Sequence, residues 1–270
     1  MDELEKLRTE LKIRGFSPLT VRNYGFFVEK FLQRINKPAS DLNEDDVKSY
    51  LSHLFDSKSK NTIMLAAASL KFFYSEILQK EFATIKMPKK DKKLPEVLSK
   101  EDIKKLIDSA DTLKSRFIIS FLYSTGLRVS ELVHLKRDEI NFGEKTGWVR
   151  RGKGAKDRLF TMSEGLSHDL QDYLQYKPDY AYLFSKEKPL TTRNIQKIIS
   201  STGKRAGIQK KVTPHTLRHS FATHLLEQGT DIRVIQTLLG HSSLSTTQVY
   251  THVSADQLKK VANPLDSMPL

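Results

Sequence analysis

The stretch HTLRHSFATH, residues 215–224, sets three histidines within ten positions. His215 and His219 have the i, i+4 spacing of a zinc-protease helix, in which two imidazoles share one helical face. That motif also needs a glutamate directly after the first histidine, and Thr216 stands there instead. His224, five residues beyond His219, is turned well away from the same face. No metal ligand set is therefore expected. A second reading begins just upstream, where Thr213 is a candidate N-cap and Pro214 fits the first helical position. His215 and Arg218 then share the first turn of a helix, beside free backbone N–H groups and the positive end of the dipole. Helix starts of this kind hold phosphate.

The composition around this stretch favours a polyanionic partner. Forty-five Lys and Arg face thirty-two Asp and Glu, a formal net charge of +13, which points first to nucleic acid and second to an anionic membrane. The longest apolar run, FIISFLY, is far too short to span a bilayer, and no membrane partner is expected. The first residues, MDELEKLRTELKIRG, have no apolar core of a secretory signal. The absence of cysteine removes disulfides, thiol nucleophiles and cysteine metal clusters, and fits a reducing cytoplasm.

The 270 residues suffice for two domains. Residues 1–86 read as a four-helix bundle. Ser17 and Pro18 open a helix with Tyr24, Phe27, Val28, Phe31, Leu32 and Ile35 on one stripe, and Asn43 opens another with Val47, Tyr50, Leu51, Leu54 and Phe55 inward. A third carries small Ala66, Ala67 and Ala68 for close helix approach, with Leu70, Phe73, Tyr74 and Ile77 as bulk. Residues 87–97, MPKKDKKLPEV, interrupt the pattern with two prolines and four lysines, Lys89, Lys90, Lys92 and Lys93. This is a candidate linker, either a solvated charge run or a cationic strap that lies against phosphates. Residues 98–270 are mixed. Ser99 caps a helix, a second covers about 112–125, Gly126 breaks it, and two β-rich arms around Trp148–Val149 and Leu159–Thr161 flank GKGAK as a hairpin. Helices are predicted near 163–175, 191–206, 214–228 and 231–239.

Taken singly, the polar residues of this half have ordinary structural readings: Arg128 a surface arginine, Lys153 a solubilising hairpin lysine, His241 a helix-end histidine, Tyr250 a half-buried tyrosine. Their order is what is unusual. TGLR-x-SEL at 125–132, a GKG-x-K-x-R hairpin at 152–158, H-x-x-R at 215–218, LGH at 239–241 and a tyrosine nine residues later resemble the tyrosine recombinase family, and within it the Xer branch. The resemblance covers nearly the whole chain. It implies a mainly α protein, with an N-terminal helical bundle of the SAM-like, core-binding kind and an α+β catalytic domain bearing a small β-hairpin or sheet. Carried over by position, it makes Tyr250 the nucleophile, Arg128 and Arg218 the phosphate-binding pair, Lys153 the general acid, and His215 and His241 the supporting histidines. Glu131 matches an acidic position that helps order the site. Arg151 departs from the apolar residue usual before the GKG turn, and with Lys156 and the linker lysines it is a candidate DNA contact. His219 and His224 match no catalytic position and are read as structural.

The chemistry stands on its own terms. A tyrosine phenol, with a reference pKa near 10, is a poor nucleophile at neutral pH unless a base takes its proton or cations favour its phenolate. Two guanidiniums offer fixed, always-charged forks to a phosphorane, and a lysine can protonate the leaving 5′-oxygen. The resulting 3′-phosphotyrosine stores the bond energy, so no cofactor is expected. The resemblance further implies duplex DNA clamped by both halves, self-association into a synaptic tetramer, and resolution of chromosome dimers at a short, imperfectly palindromic site. A mobile-element integrase, a topoisomerase that relaxes without exchanging partners, and a non-catalytic DNA-binding relative share many of these features. After Tyr250, Ser254–Ala262 reads as a short capped helix whose Leu258 and Val261 either dock on a neighbouring protomer or fold back onto the same domain.

Overall fold

Helix starts in this chain are written by side chains that accept hydrogen bonds from the first turn. The computed structural model describes residues 2–80, 96–150, 157–240 and 261–268. The chain divides into two compact units, Met1–Lys93 and Leu94–Leu270, each with its own apolar core. It is mainly helical, with one three-stranded antiparallel sheet among the described residues.

The first unit contains α1 (Glu3–Ile13), α2 (Pro18–Ile35), α3 (Glu44–Phe55) and α4 (Lys60–Phe72). Ser17 caps α2 through the Thr20 N–H, with Pro18 at the start where its missing N–H costs nothing. Asn43 and Asp46 form a reciprocal capping box on α3. Leu7, Val28, Phe31, Val47, Ile63, Ala66 and Leu70 are closed to solvent. Phe55, expected inward, is 46% exposed because α3 ends there and Leu54 already fills the core-facing position. Beyond α4 a π-helical turn, Phe73–Ile77, continues the chain. Its wider winding accompanies the burial of two adjacent aromatics, Phe73 and Tyr74, which an α-helix would separate by about 100°. The Tyr74 hydroxyl donates to the Asn43 carbonyl, so the buried phenol is satisfied.

The second unit is organised around α6 (Leu113–Thr125). Every residue from Phe117 to Thr125 is buried, so the apolar run FIISFLY is a central core helix surrounded on all sides. Among the described residues, no helix is long and apolar enough to cross a membrane. Around α6 lie α5 (Lys100–Asp108), α8 (Glu164–Gln175), α9 (Thr192–Arg205) and α10 (Pro214–Glu227), while α7 (Val129–His134) packs on α9. The sheet runs β1 (Ile140–Asn141), β2 (Thr146–Val149), β3 (Arg158–Thr161), with Trp148 opposite Leu159 and Val149 opposite Arg158. The two expected hairpin arms are β2 and β3, and β1 adds a short third strand. The last α-helix among the described residues is α11 (Ile232–Leu239), which lies against β3 and α10.

Gly126 ends α6 in the left-handed region, φ 61°, and a Cβ there would lie 2.6 Å from the Phe221 ring. Only glycine meets both demands. His224 is buried and shares a 2.8 Å hydrogen bond with the Tyr123 hydroxyl; burial holds its pKa below the usual imidazole value, so the ring is neutral. This agrees with a structural role.

Of the tail helix anticipated over 254–262, only Val261 and Ala262 fall within the described residues, and neither is helical. Pro264 instead opens a 3-10 turn, Pro264–Ser267, that docks on its own unit. The Asn263 amide donates to the Ser124 carbonyl at 2.8 Å, Asp266 accepts from the Glu164 N–H at 2.9 Å, and Leu265 and Met268 enter the core. Val261 is half-buried against that same core. Truncation upstream of this segment would therefore strip core side chains as well as any exchange arm. Leu265→Ala should destabilise the second unit by about 2–4 kcal/mol, read as a lower thermal midpoint; an unchanged midpoint would show that the tail is not seated there.

Candidate functional site

Four charged side chains from three elements converge at the C-terminal ends of α6 and α11. Arg128 precedes α7, Glu131 lies in its first turn, Arg158 begins β3, and Arg218 lies one turn into α10. Thr213 caps α10 as its sequence suggests, accepting from the Thr216 N–H at 3.1 Å, with Pro214 in the first helical position. That start fixes the helix phase. Arg218 faces inward and is 6% exposed, whereas His215, three residues earlier, is exposed.

Glu131 is the anionic hub. Arg158 grips it in a two-pronged fork, Nη1 to Oε1 at 2.8 Å and Nη2 to Oε2 at 2.6 Å. Arg128 donates from Nη1 to Oε1 at 2.8 Å and from its backbone N–H to Oε2 at 2.7 Å. Burial alone would raise the Glu131 pKa, but the hydrogen bond and charge of Arg158, followed by the bonds from Arg128, bring it below the ordinary carboxylate value. The carboxylate is therefore ionised at neutral pH.

The same arginines take the last carbonyls of α11 in sequence. Arg158 Nε donates to Leu238 O at 3.0 Å, Arg218 Nη2 to Leu239 O at 2.6 Å, and Arg128 Nη2 to Gly240 O at 3.1 Å. Arg218 Nη1 also donates to Gly126 O, at the end of α6, at 2.6 Å. Helix C-termini present unpaired carbonyls and a partial negative charge, so cations are favoured there. Gly240 has φ 62°, and a Cβ on it would come within 2.8 Å of Arg158 Cδ. A glycine at this point lets the arginine reach the helix end.

Two guanidiniums bond one carboxylate and a third, Arg218, lies on the neighbouring carbonyls, a net charge of +2 among the described residues of a largely buried cluster. The strain is visible on Arg218, whose pKa is lowered to about 10 by burial first and by Arg128 and Arg158 second. It stays protonated at neutral pH. Each guanidinium has five N–H donors. Toward described residues Arg158 uses all three nitrogens, while the side chains of Arg128 and Arg218 each use only two. The Arg128 side chain is also the more open, 22% exposed against 9% for Arg158. Excess positive charge and unengaged donors are the chemistry with which proteins hold an anion.

Of the residues singled out in the sequence, Arg128, Glu131 and Arg218 meet here. Lys153, Arg151 and Lys156 of the hairpin, the linker residues Lys89, Lys90, Lys92 and Lys93, and both His241 and Tyr250 lie outside the described residues. His219 is exposed, and partial desolvation of its ring, then neighbouring His215 and Arg218, lower its pKa. Arg158 was not singled out, although it closes the GKG-x-K-x-R run. Its signal was the basic end of that run, but nothing in a linear sequence says that its side chain crosses to Glu131, 27 residues away. Among the described residues, no group of three or more His, Asp or Glu is arranged to hold a metal ion.

Replacing the hub should expose the imbalance. Glu131→Gln leaves the guanidiniums without their counter-charge and should lower the stability of the second unit by about 3–5 kcal/mol. Added sulfate or inorganic phosphate should restore part of the thermal midpoint, by more than it raises that of the unaltered protein. Equal anion effects on both proteins would mean that the cluster does not take an anion.

Residues 96–257 match the phage integrase family, and residues 4–84 match its N-terminal SAM-like domain. The tyrosine recombinase XerA of Pyrococcus furiosus is 43% identical over 279 residues, covering 98% of this chain and 95% of the relative. A crystal structure of XerA recombinase is 36% identical and covers 95% of this chain and 96% of its own, with a TM-score of 0.53. The XerH site-specific recombinase bound to its difH substrate, in a pre-cleavage complex, is 26% identical over 95% of this chain and 81% of its own, with a TM-score of 0.72. A family match over more than half of the chain, joined to 43% identity along nearly all of it, places this protein in the phage integrase family, among the tyrosine recombinases of the Xer kind.

Proposed function

We propose that this tyrosine recombinase is a site-specific enzyme that cuts and rejoins duplex DNA through a 3′-phosphotyrosine on Tyr250. The observation that supports it most is the cluster of Arg128 and Arg218, net positive and with donors in reserve, at the end of α11. His241 follows Gly240 directly in the chain, and Tyr250 is nine residues further. The nucleophile's segment therefore leaves from the cluster itself.

In this reading the scissile phosphate accepts hydrogen bonds from Arg128 and Arg218, whose charge is most valuable when the phosphorane forms. The Tyr250 oxygen forms a bond to phosphorus as its proton passes to His215. The bond to the 5′-oxygen breaks, and Lys153 gives that oxygen a proton. His241 supports a nonbridging oxygen. A 5′-hydroxyl from a partner strand then attacks the phosphotyrosine, releasing Tyr250 and forming a new phosphodiester. No external energy source enters, because one ester is exchanged for another. Residues 1–86 and 98–270 act as core-binding and catalytic domains, and the linker lysines with Arg151 and Lys156 contact phosphates, which makes binding strongly salt-dependent. Four protomers form the synapse. The biological task is resolution of chromosome dimers in the cytoplasm, supported by the near full-length likeness to an Xer protein.

The test uses a nicked duplex carrying the site that the protein selects from a pool of random duplexes. The unaltered chain should form a covalent adduct, in excess EDTA as well as without it. Tyr250→Phe should form none while its Kd for the duplex stays within about threefold. Lys153→Ala should lose most cleavage and regain it on a bridging 5′-phosphorothiolate, whose leaving group needs no proton. An adduct that persists in Tyr250→Phe would assign the nucleophile elsewhere, and a Lys153→Ala defect that the thiolate leaves unchanged would make the lysine a positioning group.

A further inference from the structure

We propose that Arg158 is a positioning residue for DNA cleavage, holding the phosphate-binding Arg128 in register with β3 and with the last turn of α11. This deepens the recombinase reading above and rests on it. Toward described residues the Arg128 and Arg218 side chains each engage two of their five N–H donors and leave Nε unused, whereas Arg158 engages all three nitrogens on protein. Its side chain is 9% exposed, so it is poorly placed to contact DNA itself.

What it holds is specific. By taking both oxygens of Glu131, Arg158 fixes the plane of the carboxylate, and that plane sets where Oε1 meets Arg128 Nη1. Any rotation of Glu131 swings the Arg128 guanidinium away from the phosphate. The Nε bond to Leu238 O fixes the last turn of α11, two residues before Gly240, where the absence of a Cβ admits the Arg158 stem. Arg158 is also the first residue of β3, so the anchor ties the start of that strand to α7 and α11. One side chain therefore joins three elements, the entry to α7, β3 and the last turn of α11. Lysine cannot substitute fully, because an ammonium lacks the planar fork that engages both carboxylate oxygens and a carbonyl together.

Misplacement of reacting groups by about an ångström lowers rate by about 100-fold without removing a binding contact. Arg158→Gln should accordingly slow single-turnover adduct formation at saturating protein by about 10- to 100-fold while the Kd for the duplex changes less than about threefold. Arg158→Lys keeps the charge beside Glu131 and should show the same split more mildly, which preserves the test should Arg158→Gln fail to fold. In a Glu131→Gln background, Arg158→Lys should add little further loss, because both act through the carboxylate. Adduct formation by Arg158→Lys at the unaltered rate would overturn the proposal, as would a loss of DNA binding equal to the loss of cleavage. Absence of adduct from the unaltered chain would instead sink the recombinase reading itself, so the two failures are told apart.

Discussion

The shared carboxylate of Glu131 is the constraint on which the second unit turns. It draws Arg158 from the sheet and Arg128 from the entry to α7, and the pair then reaches the end of α11 alongside Arg218 from α10. Three consecutive carbonyls, at Leu238, Leu239 and Gly240, each take a different arginine. Burying so many cations is costly, and one carboxylate does not balance it. The helix-end carbonyls supply further negative potential inside the protein. In the proposed reading the scissile phosphate supplies the rest, which links ligand binding and stability through the same groups.

How α10 begins shows why the cluster forms where it does. Thr213 and Pro214 fix the phase of the helix, and that phase turns Arg218 inward while leaving His215 at the surface. A one-residue shift would exchange an inward arginine for an outward one. Gly126 works on the same scale at the end of α6, since its left-handed turn presents a carbonyl to Arg218 and leaves room for Phe221. Local backbone chemistry therefore decides which side chains reach the site, and the packed core around α6 keeps them there.

Much of this was legible in the sequence because it is local. Caps at Ser17, Asn43, Ser99 and Thr213, the break at Gly126 and the two hairpin arms depend on neighbours within a few positions. Arg128, Glu131 and Arg218 were legible through the order of their motifs. What escaped depends on long-range packing. Phe55 fits the apolar stripe of α3 yet points to solvent, since Leu54 already occupies the core side. The π-helical turn at Phe73–Ile77 accompanies two adjacent buried aromatics, a demand that periodicity alone does not express. Arg158 and the tail are of the same kind. Arg158 finds Glu131 across the fold, and Asn263 finds the carbonyl of Ser124. Neither partner is adjacent in sequence.

The central claim, that Arg128 and Arg218 together receive the scissile phosphate while Arg158 stays on Glu131, is tested most directly by a crystal structure with orthovanadate and the two strand ends of a cleaved duplex. The account predicts vanadium bonded to the Tyr250 oxygen and to the 5′-oxygen, with equatorial oxygens within hydrogen-bond distance of both guanidiniums and the Arg158 fork intact. Vanadate bound away from Arg128 and Arg218, or held by Arg158 after release of Glu131, would contradict it.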